Sequence, residues 1–248
     1  MRKLAITNEP YKLLRGIRFF IALLLAVGII LNINPLANAD KGIDHKVEDL
    51  LNRMTLTEKI GQMTQIDHAS LIQISDIPEY GLGSILFGGD SLFPGITPAQ
   101  AADLIDHYQT TALKGRLKVP LLFGIDAVHG LNNIVTTTVF PHNIGIGAAR
   151  DLQLAEKAAR ITARELVGIG IKWTFAPCVA VARDERWGRT YESFGETPDL
   201  AVSLGTAAIK GLQGSDLSSA DSVAACVKRY LGDGGTFYGT GVYGGIDQ

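Results

Sequence analysis

Apolar residues along this chain follow two patterns that alternate. Short, predominantly apolar runs occur at residues 83–87, 120–125, 171–176 and 223–231. Continuous rather than alternating runs of this length predict strands buried on both faces of a parallel sheet. Between them lie longer stretches with helical spacing and helix start signals. Thr55-Leu56-Thr57-Glu58 is a capping box and predicts a helix running to about Gln65. Thr97-Pro98-Ala99-Gln100 starts another, with Pro98 in the first helical position and Gly115 beyond its end. Asp151 caps a third, whose Leu154, Ala158, Ile161 and Leu166 recur at helical spacing up to Gly168. Thr197-Pro198 opens a fourth, closed by Gly211 or Gly214. Residues 47–54 form a short amphipathic segment ahead of the first capping box.

Strand and helix therefore alternate, and each crossover between parallel strands needs a helix on the sheet. A closed barrel of eight such units typically takes about 250 residues. Four predicted strands imply an α/β fold, a partial TIM-type (β/α)8 barrel amounting to about its first half. Residues 232–248 are glycine-rich without a strand or helix signal, so the chain reads as a barrel domain truncated in a loop.

Residues 1–39 obey a different rule. Arg2, Lys3, Lys12, Arg15 and Arg18 are basic, residues 19–33 are apolar except Asn32, and Ala37-Asn38-Ala39 has the A-x-A form. That order predicts a secretory signal peptide cleaved after Ala39, and a secreted or periplasmic protein. The apolar run is shorter than the roughly 20 residues of a spanning helix. Without residues 1–39, 18 cationic and 24 acidic side chains remain, a net charge of −6. An acidic exported protein has no electrostatic footprint for nucleic acid or anionic lipid, whereas a neutral carbohydrate is compatible with it. Cys178 and Cys226 have no metal-ligand spacing, which predicts no metal; their apolar surroundings favour buried free thiols, while export leaves a disulfide between them open.

Candidate chemistry gathers where the predicted strands end. These ends carry Gly88-Gly89-Asp90, Asp126-Ala127-Val128-His129, the charged stretch 183–189, and Lys228-Arg229. In a barrel they ring one mouth, the face on which such folds build their active sites. A carboxylate accepts hydroxyl protons, arginine and lysine donate to sugar oxygens, and an aromatic face such as Trp187 covers the apolar side of a pyranose. The set fits a sugar subsite; it equally fits a buried ion-pair network bracing the barrel.

Several motifs in order resemble glycoside hydrolase family 3, the β-glucosidase and exo-glucanase family. They are T-L-T-E-K-I-G-Q-M from Thr55, G-I-D-A-V-H-G from Gly124, F-P-H-N-I-G-I-G-A from Phe140, F-A-P-C from Phe175, R-W-G-R-T-Y-E-S from Arg186 and G-D-G-G-T from Gly232. The resemblance covers nearly all of the chain after residue 39. It implies a retaining β-glucosidase-type hydrolase acting on terminal β-linked glucose of oligo- or polysaccharides, without a cofactor. It implies that Asp126, Arg189 and Lys228 bind hydroxyls of the sugar in the −1 subsite. Where the family carries a lysine-histidine pair, this chain has Lys228-Arg229, so no sugar contact is assigned to Arg229. His129 and His142 are expected to orient loops. The family's aspartate nucleophile, in an S-D-W-like motif, and its glutamate acid/base belong to later segments. No catalytic residue is therefore expected within this chain, and Asp126, Glu192 and Asp233 are not assigned that role. Other readings are a non-catalytic fragment or carbohydrate-binding remnant, a β-N-acetylhexosaminidase of the same family, and a Schiff-base aldolase barrel using Lys228. The hexosaminidase reading is weakened because Leu231-Gly232-Asp233-Gly234 lacks the histidine of that group's loop.

Overall fold

A computed structural model describes residues 34–88 and 95–235, with side chains from residue 42 onward. The described residues fall into two compact units that divide between Met54 and Thr55. Within the first, helix α1 runs from Asn34 to Arg53 and closes on an Asp49–Arg53 ion pair one turn apart, 3.2 Å. The expected amphipathic segment lies in this helix, and so does the expected cleavage position after Ala39. Residues 1–33 of the expected signal peptide lie outside the described residues. Among the described residues no helix is long and apolar enough to cross a membrane.

The second unit starts on the predicted capping box. Thr55 Oγ1 accepts from the Glu58 amide at 3.3 Å, Glu58 Oε2 accepts from the Thr55 amide at 2.8 Å, and α2 runs from Leu56 to Met63. Glu58 also takes a two-pronged contact from Arg116. That hydrogen bond, helped by the Thr55 amide, lowers its carboxyl to about 2. One carboxylate thus caps α2 and ties it to a loop 58 residues further on.

Among the described residues, five parallel strands form one sheet in sequential order: β1 Gln65–Asp67, β2 Ser84–Phe87, β3 Leu122–Ile125, β4 Trp173–Thr174 and β5 Ala224–Ala225. Sequential order with every neighbour parallel is the topology of a winding barrel, and five strands make it a partial one. The four-strand expectation missed β1, because three residues directly after a helix carry no period of their own. The predicted first helix therefore ends at Met63, two residues short of Gln65. The fourth apolar run is mostly not strand: only Ala224–Ala225 joins the ladder, with a further bridge between Cys178 and Lys228.

Helix α3 (Asp76–Tyr80) precedes β2. α4 (Pro98–Ala112) crosses from β2 to β3 on its predicted Thr97–Gln100 capping box, and α6 (Leu152–Gly168) leads into β4 on an Asp151 cap. α7 (Pro198–Gln213) stops at Gly214 in a positive-φ conformation, although Thr197 makes no side-chain cap bond. A short helix that the sequence pattern did not reveal, α5 (Asn143–Ala149), lies between β3 and α6. Its segment holds Gly145 and Gly147, which lower helix propensity by about 1 kcal/mol each, so tertiary packing must hold it.

The core lies between sheet and helices. Ile85, Phe87, Phe123, Ile125, Leu166 and Ile171 are buried in one cluster, as the apolar runs require. A second cluster joins α5, α6 and α7 through Ile146, Ala155, Phe194 and Leu204. Helices α6 and α7 approach so closely that a Cβ at Gly211 would lie 2.7 Å from Ala159 Cβ. Both cysteines are free; Cys178 is buried as expected, whereas Cys226 is only half-buried.

Candidate functional site

Asp126 is the first residue after β3. Its amide donates to the Phe87 carbonyl at 3.3 Å, which extends the ladder by one bond and fixes where its carboxylate leaves the sheet. Asn133 Nδ2 holds its carbonyl oxygen at 3.1 Å. Lys228 follows β5 by three residues. Its backbone is pinned to the loop after β4, with its amide on the Pro177 carbonyl and its own carbonyl taken by the Val179 amide, both 3.1 Å. The two side chains meet: Lys228 Nζ donates to Asp126 Oδ1 at 2.5 Å, across 102 residues of sequence. This ion pair is not sealed from solvent, since the carboxylate side chain remains 33% exposed and the lysine 15%.

Arg189 caps a 3-10 turn, Thr190–Glu192, in the loop between β4 and α7. Its Nε donates to Glu192 Oε1 at 2.7 Å and its Nη2 to Oε2 at 2.8 Å, a bidentate fork. Burial lowers the guanidinium's pKa, but its bonds and attraction to Glu192 outweigh that and hold it above the ordinary value. The Glu192 side chain is buried, while Arg189 keeps 30% of its surface. Cys178 links the two pairs. It is fully buried, which raises its thiol pKa, and it feels the charges of Glu192, Lys228 and Arg189 together. The expected residues Asp126 and Lys228 are therefore in direct contact, and Arg189 belongs to the same charged neighbourhood with Glu192 as its partner.

Behind these pairs lies an aromatic layer. His129 Nδ1 is 2.8 Å from the Phe140 carbonyl, which can only accept, so Nδ1 carries the proton. The His129 ring stacks on His142 at 3.7 Å, and His142 meets the edge of Tyr191 at 4.6 Å. Burial first, then the nearness of His129, holds His142 below its ordinary pKa against an opposing pull from Glu192. Asn143, buried at the start of α5, donates to the Glu192 carbonyl at 2.9 Å. His129 thus ties its loop to the Phe140 segment.

One expectation needs correction. Trp187 is not available to a sugar face. It is 3% exposed and packs with Cys178, Ala180 and Ala182 under Val128. Its indole is core because the loop after β4 folds back over the strand end, which sequence spacing does not reveal. Arg229, which carries no assigned sugar contact, adopts φ +63° and pairs with Asp233 at 3.5 Å, so this cation is engaged by the loop that follows it. Arg186 is similarly occupied on the surface by Asp184, whose carboxyl that contact lowers to about 2. Gly88 is described at the end of β2, whereas Gly89 and Asp90 lie outside the described residues. Among the described residues no cluster of His, Cys, Asp and Glu could hold a metal ion.

Sequence reasoning set Glu192 aside as a tempting catalytic substitute. What it missed was its pairing, for which the signal was the three-residue spacing from Arg189.

Comparison with known proteins converges on one family. Residues 55–247 match the model of the glycosyl hydrolase family 3 N-terminal domain. A lysosomal β-glucosidase of Dictyostelium discoideum is 35% identical over 225 residues, 81% of this chain and 27% of that protein. A periplasmic β-glucosidase of Salmonella typhimurium is 34% identical over 203 residues, 79% of this chain and 25% of that protein. Among solved structures, the exo-1,3/1,4-β-glucanase of a Pseudoalteromonas species matches with a TM-score of 0.74 at 38% identity, covering 80% of this chain and 26% of that one. The chain spans about a quarter of the length of the relatives it matches.

Proposed function

The chain belongs to glycosyl hydrolase family 3, and from that premise we propose that it supplies the sugar-binding part of a β-glucosidase-type hydrolase, without the catalytic carboxylates. Asp126, Lys228 and Arg189 bind hydroxyls of a terminal β-linked glucose. The observation that carries this reading is the Asp126–Lys228 pair at the ends of two strands of one sheet, with its carboxylate still reachable from solvent. Asp126 accepts hydroxyl protons through its second oxygen and through the lone pairs that Lys228 leaves open. Lys228 retains two further N–H donors, and Arg189 retains the guanidinium donors that Glu192 does not use. Charged partners make such bonds roughly twice as strong as neutral ones.

The carboxylates in this neighbourhood already hold cationic partners, with one oxygen of Asp126 left open. Both oxygens of Glu192 hold Arg189, and Asp126 holds Lys228. Retaining hydrolysis needs one carboxylate free to attack and a second, about 5–5.5 Å away, to give and take a proton. The pairings support ground-state binding, which alone leaves the chemical step unaided. The engagement of the Lys228 ammonium by Asp126 likewise weighs against a Schiff-base role, which calls for a desolvated amine.

Export belongs to the same proposal. Residues 1–39 act as a signal peptide removed after Ala39, and residues 40–248 form part of the barrel domain in a secreted or periplasmic protein. The basic, apolar and A-x-A segments support this, and so do relatives named as periplasmic and lysosomal.

The test is release of nitrophenol from nitrophenyl β-glucoside by the purified 248-residue chain. The expected rate equals that of the Asp126→Asn variant. Turnover at ordinary enzyme rates that Asp126→Asn abolishes would show that the nucleophile lies within these residues.

A further inference from the structure

The geometry points to Glu192 as the residue that positions Arg189, acting on sugar affinity through that guanidinium rather than by touching the sugar. This inference rests on the proposed sugar contact of Arg189.

Three observations carry it. The fork is complete: two bonds of 2.7 and 2.8 Å fix both the place and the plane of the guanidinium, whereas a single bond would leave it free to swing. Glu192 is itself immobilised. Its backbone amide bonds to the Arg189 carbonyl at 2.9 Å, and its carbonyl takes the buried Asn143 amide group at 2.9 Å. Finally, the exposures are unequal. The Glu192 side chain is 7% exposed and that of Arg189 30%, so solvent and any ligand reach the arginine, with the carboxylate behind it.

A buried carboxylate is expensive to keep, and an equally buried apolar pair often does as well for stability. Its use here is geometric. A free arginine side chain populates many rotamers. Fixing the side chain before the sugar arrives removes the cost of ordering it from binding. Helix α5 completes the support, because Asn143 at its start holds the turn that carries Glu192.

The test compares Glu192→Gln, Arg189→Lys and the double variant in the full chain. Methyl β-glucoside serves as the probe, and affinity is read by NMR titration. A glutamine side chain at this position accepts one bond, not two, and carries no charge. Glu192→Gln should therefore weaken affinity roughly tenfold, the loss of one charge-assisted bond. On the Arg189→Lys background the same change should cost no further affinity, because its effect passes through the guanidinium. The second reading is the Arg189 Nε–H signal, which should be protected from exchange in the parent and released in Glu192→Gln. Additive affinity losses, or an Nε–H signal unmoved by the substitution, would overturn the inference. Should Glu192→Gln fold poorly, Glu192→Asp serves in its place. It keeps the charge but is one methylene too short for the fork, and the same loss of Nε–H protection is expected. A parent chain that binds no sugar, yet has an Nε–H protected by Glu192, would sink the sugar-site reading and support the positioning.

Discussion

Replacing Gly147 by alanine tests the packing that holds the Arg189–Glu192 turn. In an exposed helix this change is favourable: alanine exceeds glycine by about 0.8–1 kcal/mol in helix propensity. At position 147 the added Cβ would lie 2.7 Å from the Phe194 carbonyl carbon, 3.1 Å from its Cα and closer still to its oxygen. Those atoms are backbone and cannot rotate away. Phe194 is also 2% exposed and wedged in the α5–α6–α7 cluster, so the loop cannot lift without opening that cluster. Overpacking typically costs about 1–3 kcal/mol, and a backbone clash lies at the upper end. Set against the propensity gain, the net loss is about 1–2 kcal/mol, or about 2–8 °C in melting temperature for a domain of this size. The control is Gly168→Ala, at the last residue of α6, where an added Cβ meets nothing within 4 Å. That variant should melt at or slightly above the parent, as a strain-free Gly→Ala change does. The assay is thermal unfolding followed by circular dichroism. Equal melting temperatures for the two variants would refute the argument, because identical chemistry would then show no dependence on what the Cβ meets.

Acid should destabilise the fold through buried His68 and half-buried His142. Burial lowers the pKa of His68, which lies against Phe87 and bonds to Tyr108 at 2.9 Å, and also lowers that of His142. Below the ordinary value of 6.5 the unfolded chain gains protons that the fold refuses. Stability is therefore fully present above that pH and is lost as pH falls through the lowered values; a melting temperature independent of pH between 7 and 5 would contradict this. Thr97→Ala removes one half of the capping box on α4 and should cost about 1 kcal/mol in urea unfolding with an unchanged m-value. A loss below about 0.3 kcal/mol would show that Pro98 alone sets the helix start.

Helix starts were legible because each is written in a few contiguous residues. Thr55, Thr97 and Asp151 cap the helices that their spacing predicts, and Gly214 ends α7. The strand-end location of Asp126 was legible too, because the apolar run 120–125 and the polar residue beyond it share one stretch of sequence; Lys228 lies inside its run 223–231, of which only Ala224–Ala225 is strand. What failed to show depends on distant parts of the chain. β1 is only three residues long, and its place is set by pairing with β2. α5 is held by packing against Phe194 despite two glycines. Trp187 lies in a polar, charged stretch that reads as surface, yet the fold-back of its loop buries it. Glu192 had no assigned role in the sequence, and its fork to Arg189 shows only in the structure.

Asp126, Lys228 and Arg189 are proposed to make a sugar subsite near the strand ends. Its most direct measurement is titration of the isotopically labelled chain with methyl β-glucoside, recording backbone and side-chain shifts together. Saturable shifts should appear at residues 126–130, at the Arg189 Nε–H and at the Lys228 ammonium, and Asp126→Ala should abolish them. No shifts up to high sugar concentration, or shifts that survive Asp126→Ala, would contradict the account and leave the charged neighbourhood as a brace for the barrel.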